Sequence, residues 1–207
     1  MGTSQFGQID IIINSVVALE PTSILDIGCG FGKYGFLCRE AMVCGRTINP
    51  KIDAIEAFEE NITDVHYLIY NNVFISGALS KLKELSAKSY DLILAIDILE
   101  HFSKEDGRMF LSELNRIGRN VIISTPKMVL SQSALSGNVY EIHKTQWYPS
   151  DLKRDNCVFL RDRISHIIVI GEDIEKIKIA NRHRNIIAIM QIGMKIKRWF
   201  APFEVVV

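Results

Sequence analysis

Short apolar runs alternate with longer segments of mixed polarity along most of the chain. Polar residues, glycine or proline bound the runs, as is typical of buried strands, and the mixed segments have the spacing of amphipathic helices. The predicted strands are Ile24–Ile27, Lys51–Glu56, Asn72–Ile75, Asp91–Ile96 and Val121–Ser124, followed by β-rich runs at Ile164–Ile170 and Asn185–Ile192. The predicted helices are Ile9–Leu19, Lys33–Met42, Asn61–Tyr67, Leu79–Leu85 and one that Ser103 caps and that ends near Ile117.

This alternation predicts an α/β fold with a doubly wound, mostly parallel seven-stranded sheet and helices on both faces. The strand Asp91–Ile96 is almost entirely aliphatic, as expected where both faces of a sheet are covered. No internal repeat or low-complexity linker interrupts the chain, so we predict a single domain, 1–207, that opens with an N-terminal helix within 1–20.

Charge and cysteine content exclude several classes of protein. Lys and Arg together number 24, as do Asp and Glu, so no overall field favours a nucleic acid or a membrane as partner. The four cysteines lack C-x-x-C spacing and clustered histidines, which argues against a zinc site or a disulfide framework. There is no basic leader and no apolar run long enough to span a membrane, and we predict a cytoplasmic location.

A glycine-rich turn, ILDIGCGFGKYG at residues 24–35, connects the first strand to the next helix. One interpretation uses GFGKYG, which matches the dinucleotide fingerprint G-x-G-x-x-G that binds a pyrophosphate. The first glycine of this match, Gly30, lies two residues too far along the chain, however, because the strand ends at Ile27 and the turn begins at Gly28. The other interpretation starts from Asp26 at the end of the strand, where a carboxylate repels phosphates and can accept hydrogen bonds from an ammonium group.

Glu56 supplies a second carboxylate at the end of the second strand. Open α/β sheets bind ligands at this edge, and a carboxylate there can accept hydrogen bonds from both hydroxyls of a ribose. Asp26 and Glu56 together therefore favour a ligand that contains an amino acid part and a nucleoside. The alternative is that the glycine-rich turn only closes a strand–helix connection.

Further motifs are IDAIEAF at 52–58, YDLILAIDILEHF at 90–102 and NVIISTP at 120–126. With these motifs, the segment from about Thr22 to Asp151 resembles the class I S-adenosylmethionine-dependent methyltransferases, in particular the ubiquinone-pathway O-methyltransferases. The resemblance implies a Rossmann-like fold with S-adenosylmethionine as cofactor. Many members have an acid after the third strand that contacts adenine, whereas this chain has Ser76 and Gly77. The implied cofactor-binding residues are Asp26, Gly28, Gly30 and Gly32 for the methionine part, Glu56 for the ribose, and also Phe58 and Asp97.

The fourth strand leads into Asp97, Glu100 and His101, for which three roles remain open. The side chains can simply orient the loop and cap backbone amides. His101 can act as a general base, because its ordinary pKa of about 6.5 suits deprotonation near neutral pH. The three residues can also hold a divalent metal ion, since the ubiquinone-pathway enzymes have an acid-x-x-Glu-His metal site. No metal is part of the main prediction.

The loop at 127–151 follows the fifth strand and combines polar residues with aromatic residues and a histidine. We predict that this acceptor-side loop covers the methyl acceptor, with Asn138, Tyr140, Glu141, His143 and Trp147 as its main side chains. His143 is a second candidate base, and a purely structural role for it is the alternative.

The chain lacks the D/N-P-P-Y segment and the Pro-Cys nucleophile of nucleobase methyltransferases, so DNA is not expected as a partner. We predict methyl transfer to an oxygen or amine of a small molecule. The basic and aromatic tail, 194–207, can instead pack on the domain or make weak contact with a membrane, a lipid-linked substrate or RNA. Rival functions are a non-catalytic S-adenosylmethionine-binding protein and a nicotinamide oxidoreductase.

Overall fold

The computed structural model describes residues 3–46, 48–134 and 137–182, which contain a seven-stranded sheet. The strands are β1 (Ser23–Ile27), β2 (Lys51–Glu56), β3 (Asn72–Ile75), β4 (Tyr90–Ile96), β5 (Gly118–Pro126), β6 (Cys157–Leu160) and β7 (Ser165–Gly171). Their order across the sheet is β3-β2-β1-β4-β5-β7-β6. The helices are α1 (Ile9–Leu19), α2 (Lys33–Arg46), α3 (Asp64–Ile69), α4 (Ala78–Glu84), α5 (Lys104–Ile117) and α6 (Pro149–Leu152), and residues 174–182 are also helical.

The first five strands are parallel, whereas β7 pairs antiparallel with β5 and β6 pairs antiparallel with β7. The predicted fold class is therefore confirmed. Strand order reverses between β1 and β4, and such a switch point leaves a crevice at the carboxyl ends of the strands. The glycine turn after β1 and the DILEH segment after β4 both begin at this crevice.

Two apolar layers cover the faces of the sheet. Ile24 of β1 and Leu92 of β4 pack with α1 and α2, while the next residues, Leu25 and Ile93, pack with α4 and α5 on the other face. All four side chains are completely buried. Burial of each such side chain contributes about 1.5–3 kcal/mol, so the central strands fix the position of the turns at their ends.

Several predicted boundaries shift in the structure. The helix predicted at Asn61–Tyr67 is α3, which begins later because Thr63 forms a capping box with His66. The strand β6 was not predicted, because its apolar run CVFL is only four residues long and lies between charged segments at the edge of the sheet. The predicted run Asn185–Ile192 and the tail 194–207 lie outside the described residues. Within the part that the structure describes, no helix is both long and apolar enough to cross a membrane.

Candidate functional site

A cavity of about 510 Å³ lies at the carboxyl edge of the sheet, where β1, β2 and β4 end. The cavity extends from the glycine turn to the loop after β5. Gly32 and Phe58 lie outside its lining. The other predicted residues that line it are Asp26, Gly28, Gly30, Glu56 and Asp97, which lie at or just after the ends of β1, β2 and β4, and Glu100, His101, Asn138, Tyr140, Glu141 and His143, which follow in the turn after β4 and in the loop after β5.

Asp26 lies in β1 at the floor of this cavity and is only 2% exposed. Tyr70, which directly follows α3, donates its hydroxyl to Asp26 Oδ2 at 2.6 Å. Burial raises the pKa of Asp26 to about 6, although the hydrogen bonds from Tyr70 and from the backbone of Gly35 oppose this rise. Asp26 is therefore mainly ionised at neutral pH, as it must be to accept a hydrogen bond from an ammonium group.

The turn after β1 requires glycine at two positions. Gly28 and Gly32 have φ angles of +70° and +80°, in the left-handed region. A Cβ atom on Gly28 would lie 2.9 Å from Ile98 Cδ1, and one on Gly32 would lie 2.9 Å from Ile69 Cδ1. Gly28 also donates its N–H to the carbonyl of Ile55 at 2.8 Å. The backbone at these two positions therefore runs too close to its neighbours to accommodate a side chain.

Glu56 faces the same turn from the end of β2 and is 6% exposed. Its Oε2 accepts a hydrogen bond from Gly30 N at 3.2 Å. Its Oε1 accepts hydrogen bonds from Phe58 N at 3.1 Å and from Asn61 Nδ2 at 3.2 Å. Phe58 thus contributes to the site through its backbone, and Asn61 is a supporting residue that the sequence pattern did not indicate.

Asp97 follows β4 in the left-handed conformation, with φ of 50°. Its side chain accepts hydrogen bonds from Ser124 Oγ at 2.6 Å and from Gln8 Nε2 at 2.6 Å. Lys33 Nζ also donates to the carbonyl of Ser4 at 2.7 Å. These contacts hold the segment before α1 against the cavity, a role that the predicted N-terminal helix within 1–20 did not include.

Glu100 lies in the turn Leu99–His101 after β4 and is 1% exposed. Thr125 Oγ1 donates to Glu100 Oε2 at 3.0 Å and orients the carboxyl group. Burial, and secondly the negative charge of Asp97, raise the pKa of Glu100 to about 8. The backbone carbonyl of Glu100 accepts hydrogen bonds from Lys144 and Thr145, which tie the loop after β5 to this turn.

His101 and His143 lie together at the far end of the cavity, with ring centroids 5.0 Å apart. His101 Nδ1 donates to the carbonyl of Ile142 at 3.2 Å, and His143 Nδ1 donates to the carbonyl of Leu130 at 2.6 Å. A carbonyl oxygen can only accept, so the proton of each neutral ring is on Nδ1 and the lone pair is on Nε2. Burial lowers the pKa of His101, which favours this neutral form.

The metal-ligand set suggested by the sequence, Asp97 with Glu100 and His101, is not the set that the structure brings together. One possible ligand atom from each of Glu100, His101 and His143 lies within 4.8 Å of the other two. Asp97 instead faces Gln8 and Ser124.

The prediction that Trp147 is one of the side chains of the acceptor-side loop that cover the acceptor is wrong. Its side chain is completely buried in the core, and Nε1 donates to the carbonyl of Leu99 at 2.9 Å. A Cβ atom on Gly107 of α5 would overlap the indole ring, so α5 and Trp147 pack in close contact. Trp147 therefore anchors the end of the loop and does not contact an acceptor.

Comparisons with known proteins agree with this arrangement. Residues 24–120, slightly less than half of the chain, match the family model described as "Methyltransferase domain". No curated protein matches the chain.

Solved structures show the same fold. A SAM-dependent methyltransferase from Archaeoglobus fulgidus has a TM-score of 0.54 and 19% identity, over 72% of this chain and 86% of that one. The bifunctional kinase-methyltransferase WbdD has a TM-score of 0.57 and 15% identity, over 79% of this chain but 39% of that one. The N-terminal domain of EvdMO1, solved with SAH bound, has a TM-score of 0.58 and 15% identity, over 81% of this chain and 82% of that one.

The domain match and this fold support the class I methyltransferase prediction and S-adenosylmethionine as the cofactor, but do not confirm the resemblance to the ubiquinone-pathway group. The chain thus has the Rossmann-like fold of S-adenosylmethionine-dependent methyltransferases and matches a methyltransferase domain over residues 24–120.

Proposed function

We propose that the chain transfers a methyl group from S-adenosylmethionine to an oxygen or amine of a small-molecule acceptor. The observation that carries this proposal is the continuous cavity, which joins the carboxylates Asp26 and Glu56 to the pair His101 and His143. Its volume of about 510 Å³ is within the usual range for small-molecule sites.

The cofactor would lie along the glycine turn. The ammonium group of its methionine part would donate to Asp26, and its ribose hydroxyls would donate to Glu56. The adenine would lie beside residues 76–79, which follow β3 and line the same cavity. This segment has no acidic residue, so adenine recognition would rest on backbone atoms and on the apolar Ala78 and Leu79.

Methyl transfer is an in-line displacement at the carbon bound to sulfur, and the cofactor supplies the reactive group. The protein must align the acceptor with that carbon and allow an acceptor hydroxyl to lose its proton. We assign the proton step to His101 and His143. The Nε2 atom of each ring is available either to take up the proton or to bind a cation that acidifies the acceptor.

A labelled-methyl assay tests the function. The wild-type chain would be incubated with S-adenosylmethionine that carries a radioactive methyl group and with a total extract of the source cells, which is then separated into small-molecule, RNA, protein and lipid fractions. We expect label in the small-molecule fraction, and much less of it with the Asp26→Asn variant when the cofactor is below saturation. Label that appears only in RNA, protein or lipid would contradict the proposed acceptor class, and a failure to bind the cofactor would contradict the proposal as a whole.

Histidine variants test the proton step once an acceptor is known. The changes His101→Ala and His143→Ala should each lower kcat by about 10²–10⁴-fold while cofactor affinity stays unchanged. His166→Ala is the matched control, because His166 lies on β7 outside the cavity lining. Unchanged turnover in either cavity variant would remove that residue from the proton step.

A further inference from the structure

We propose that Glu100, His101 and His143 form a binding site for a divalent transition-metal ion such as Zn²⁺ at the acceptor end of the cavity. One potential ligand atom from each residue lies within 4.8 Å of the other two. All three residues line the cavity. Only small side-chain movements are needed to bring these atoms around one ion, since zinc ligands lie about 2.0–2.2 Å from the metal.

The hydrogen bonds of both histidines resemble those of metal ligands. A metal-binding imidazole usually donates its other N–H group to a carbonyl or carboxylate, which fixes the tautomer and the ring orientation. His101 and His143 do this through Nδ1, to the carbonyls of Ile142 and Leu130. Two such arrangements side by side leave two Nε2 lone pairs at the same end of the cavity.

Glu100 is the third proposed ligand, and a hydrogen bond orients its side chain, as hydrogen bonds orient the two histidine rings. Thr125 donates to one oxygen of its carboxyl group, an arrangement in which the other oxygen can bind an ion. The side chain is 1% exposed and lines the cavity together with the two imidazoles. Lys104 forms an ion pair with Asp151 and Lys127 donates to the backbone carbonyl of Asp162, while Lys144 lines the same cavity as Glu100.

The type of ligand selects the type of ion. Two imidazoles and one carboxylate suit zinc and related transition metals, whereas Mg²⁺ prefers oxygen ligands and water. Three protein ligands leave a coordination position open, as in catalytic zinc sites. This set differs from Asp97, Glu100 and His101, because Asp97 is engaged with Gln8 and Ser124 and the third ligand comes from the loop after β5.

The proposed chemistry rests on the proposed function. An acceptor hydroxyl bound at the open position would lose its proton to water more readily, because a bound cation lowers the pKa of an oxygen ligand. The resulting oxyanion would attack the methyl carbon of the sulfonium. A carbon–oxygen bond forms, the carbon–sulfur bond breaks and both its electrons stay on sulfur, so that S-adenosylhomocysteine leaves as a neutral thioether.

The test is a calorimetric titration of the metal-free full chain with ZnCl₂, without cofactor or acceptor. We expect one equivalent of Zn²⁺ to bind, and Mg²⁺ to bind at least about tenfold more weakly. His143→Ala and Glu100→Gln should each weaken zinc binding at least about tenfold, since loss of groups that only support a metal ligand already costs this much. Cobalt supplies a second readout, because its visible absorption should appear in the wild type and disappear in His143→Ala.

Three variants control for other binding sites and for folding. His166→Ala and Cys44→Ser should leave zinc affinity unchanged, which excludes a distant imidazole and an exposed thiol as the source of binding. Asp97→Asn should weaken zinc binding clearly less than His143→Ala does, because the charge of Asp97 acts on Glu100 without ligating the ion; an equal or larger loss would indicate the set that includes Asp97 and overturn the proposal. The absence of one-to-one zinc binding, or zinc binding that a folded His143→Ala variant retains, would also overturn it. The proposed function is tested separately, since cofactor binding does not depend on this titration.

Discussion

Replacement of Asp26 by asparagine should stabilise the cofactor-free chain and at the same time weaken cofactor binding. Asp26 is 2% exposed, and its carboxylate lies near that of Glu56, whose charge raises its pKa further. Among the described hydrogen bonds, Tyr70 donates to it but no Lys or Arg side chain does. The ionised side chain is therefore held in place for a cationic ligand at the expense of stability.

The magnitude follows from the pKa. In the folded chain the pKa of Asp26 is about 6, compared with the ordinary value of 3.8. The folded state thus binds the proton more tightly, and the contribution of this group to the free energy of unfolding falls as the pH rises from 3.8 through 6. Since one pKa unit corresponds to about 1.4 kcal/mol, ionisation costs up to about 3 kcal/mol at about pH 7.5. The asparagine variant should recover about 1–3 kcal/mol there, and roughly half as much at about pH 5.

Urea unfolding of the cofactor-free wild type and variant at the two pH values measures this gain, and calorimetry measures the affinity for S-adenosylmethionine. Loss of a charge-assisted hydrogen bond to the ammonium group should weaken binding about 10–150-fold. A variant that is less stable than the wild type at about pH 7.5, or that keeps full affinity, would refute the reasoning.

Asp53→Asn is the matched control. Asp53 is also buried in a strand and accepts a tyrosine hydroxyl, from Tyr90 at 2.7 Å. It differs in that the ammonium group of Lys51 lies 3.0 Å from its carboxylate. Asparagine at this position loses that partner, so the variant should gain no stability and should bind the cofactor as the wild type does.

Two further predictions concern the ribose site and the anchor of the loop. Glu56→Gln should weaken S-adenosylmethionine binding at least about tenfold in calorimetry, while the exposed Glu59→Gln should not; equal affinities would exclude Glu56 from ribose binding. Gly107→Ala should lower the free energy of unfolding by about 1–3 kcal/mol, because the added methyl group would overlap Trp147, whereas Gly7→Ala meets no atom within 4 Å and should be nearly neutral. Equal melting temperatures for the two alanine variants would contradict the packing described for Trp147.

The sequence predicted the parts of the structure that depend on local pattern. The five parallel strands have apolar runs that periodicity detects, and the glycine turn follows β1 directly. The positions of Asp26 and Glu56 followed from these, since the carboxyl ends of adjacent parallel strands must meet at one edge. The N-cap at Ser103 was equally local, because its hydroxyl accepts a hydrogen bond from Asp106 N in the same turn.

Contacts between distant segments could not be predicted in this way. The hydrogen bond from Tyr70 to Asp26 and the one from Gln8 to Asp97 join residues far apart in the chain, so they depend on how helices pack on the sheet. The segment around Trp147 lacks apolar periodicity and so predicts a place for Trp147 in the acceptor-side loop, yet a single large side chain can enter the core from a loop. The pairing of His143 with Glu100 required the path of the loop after β5, which no local pattern specifies.

Calorimetric titration of the wild-type chain with S-adenosylhomocysteine tests most directly whether the cavity holds this amino acid–nucleoside cofactor. The account predicts one bound equivalent with micromolar affinity, weakened at least about tenfold by Asp26→Asn and by Glu56→Gln, and no heat of binding with NADH. No binding of S-adenosylhomocysteine at millimolar concentration, or comparable binding of NADH, would contradict it.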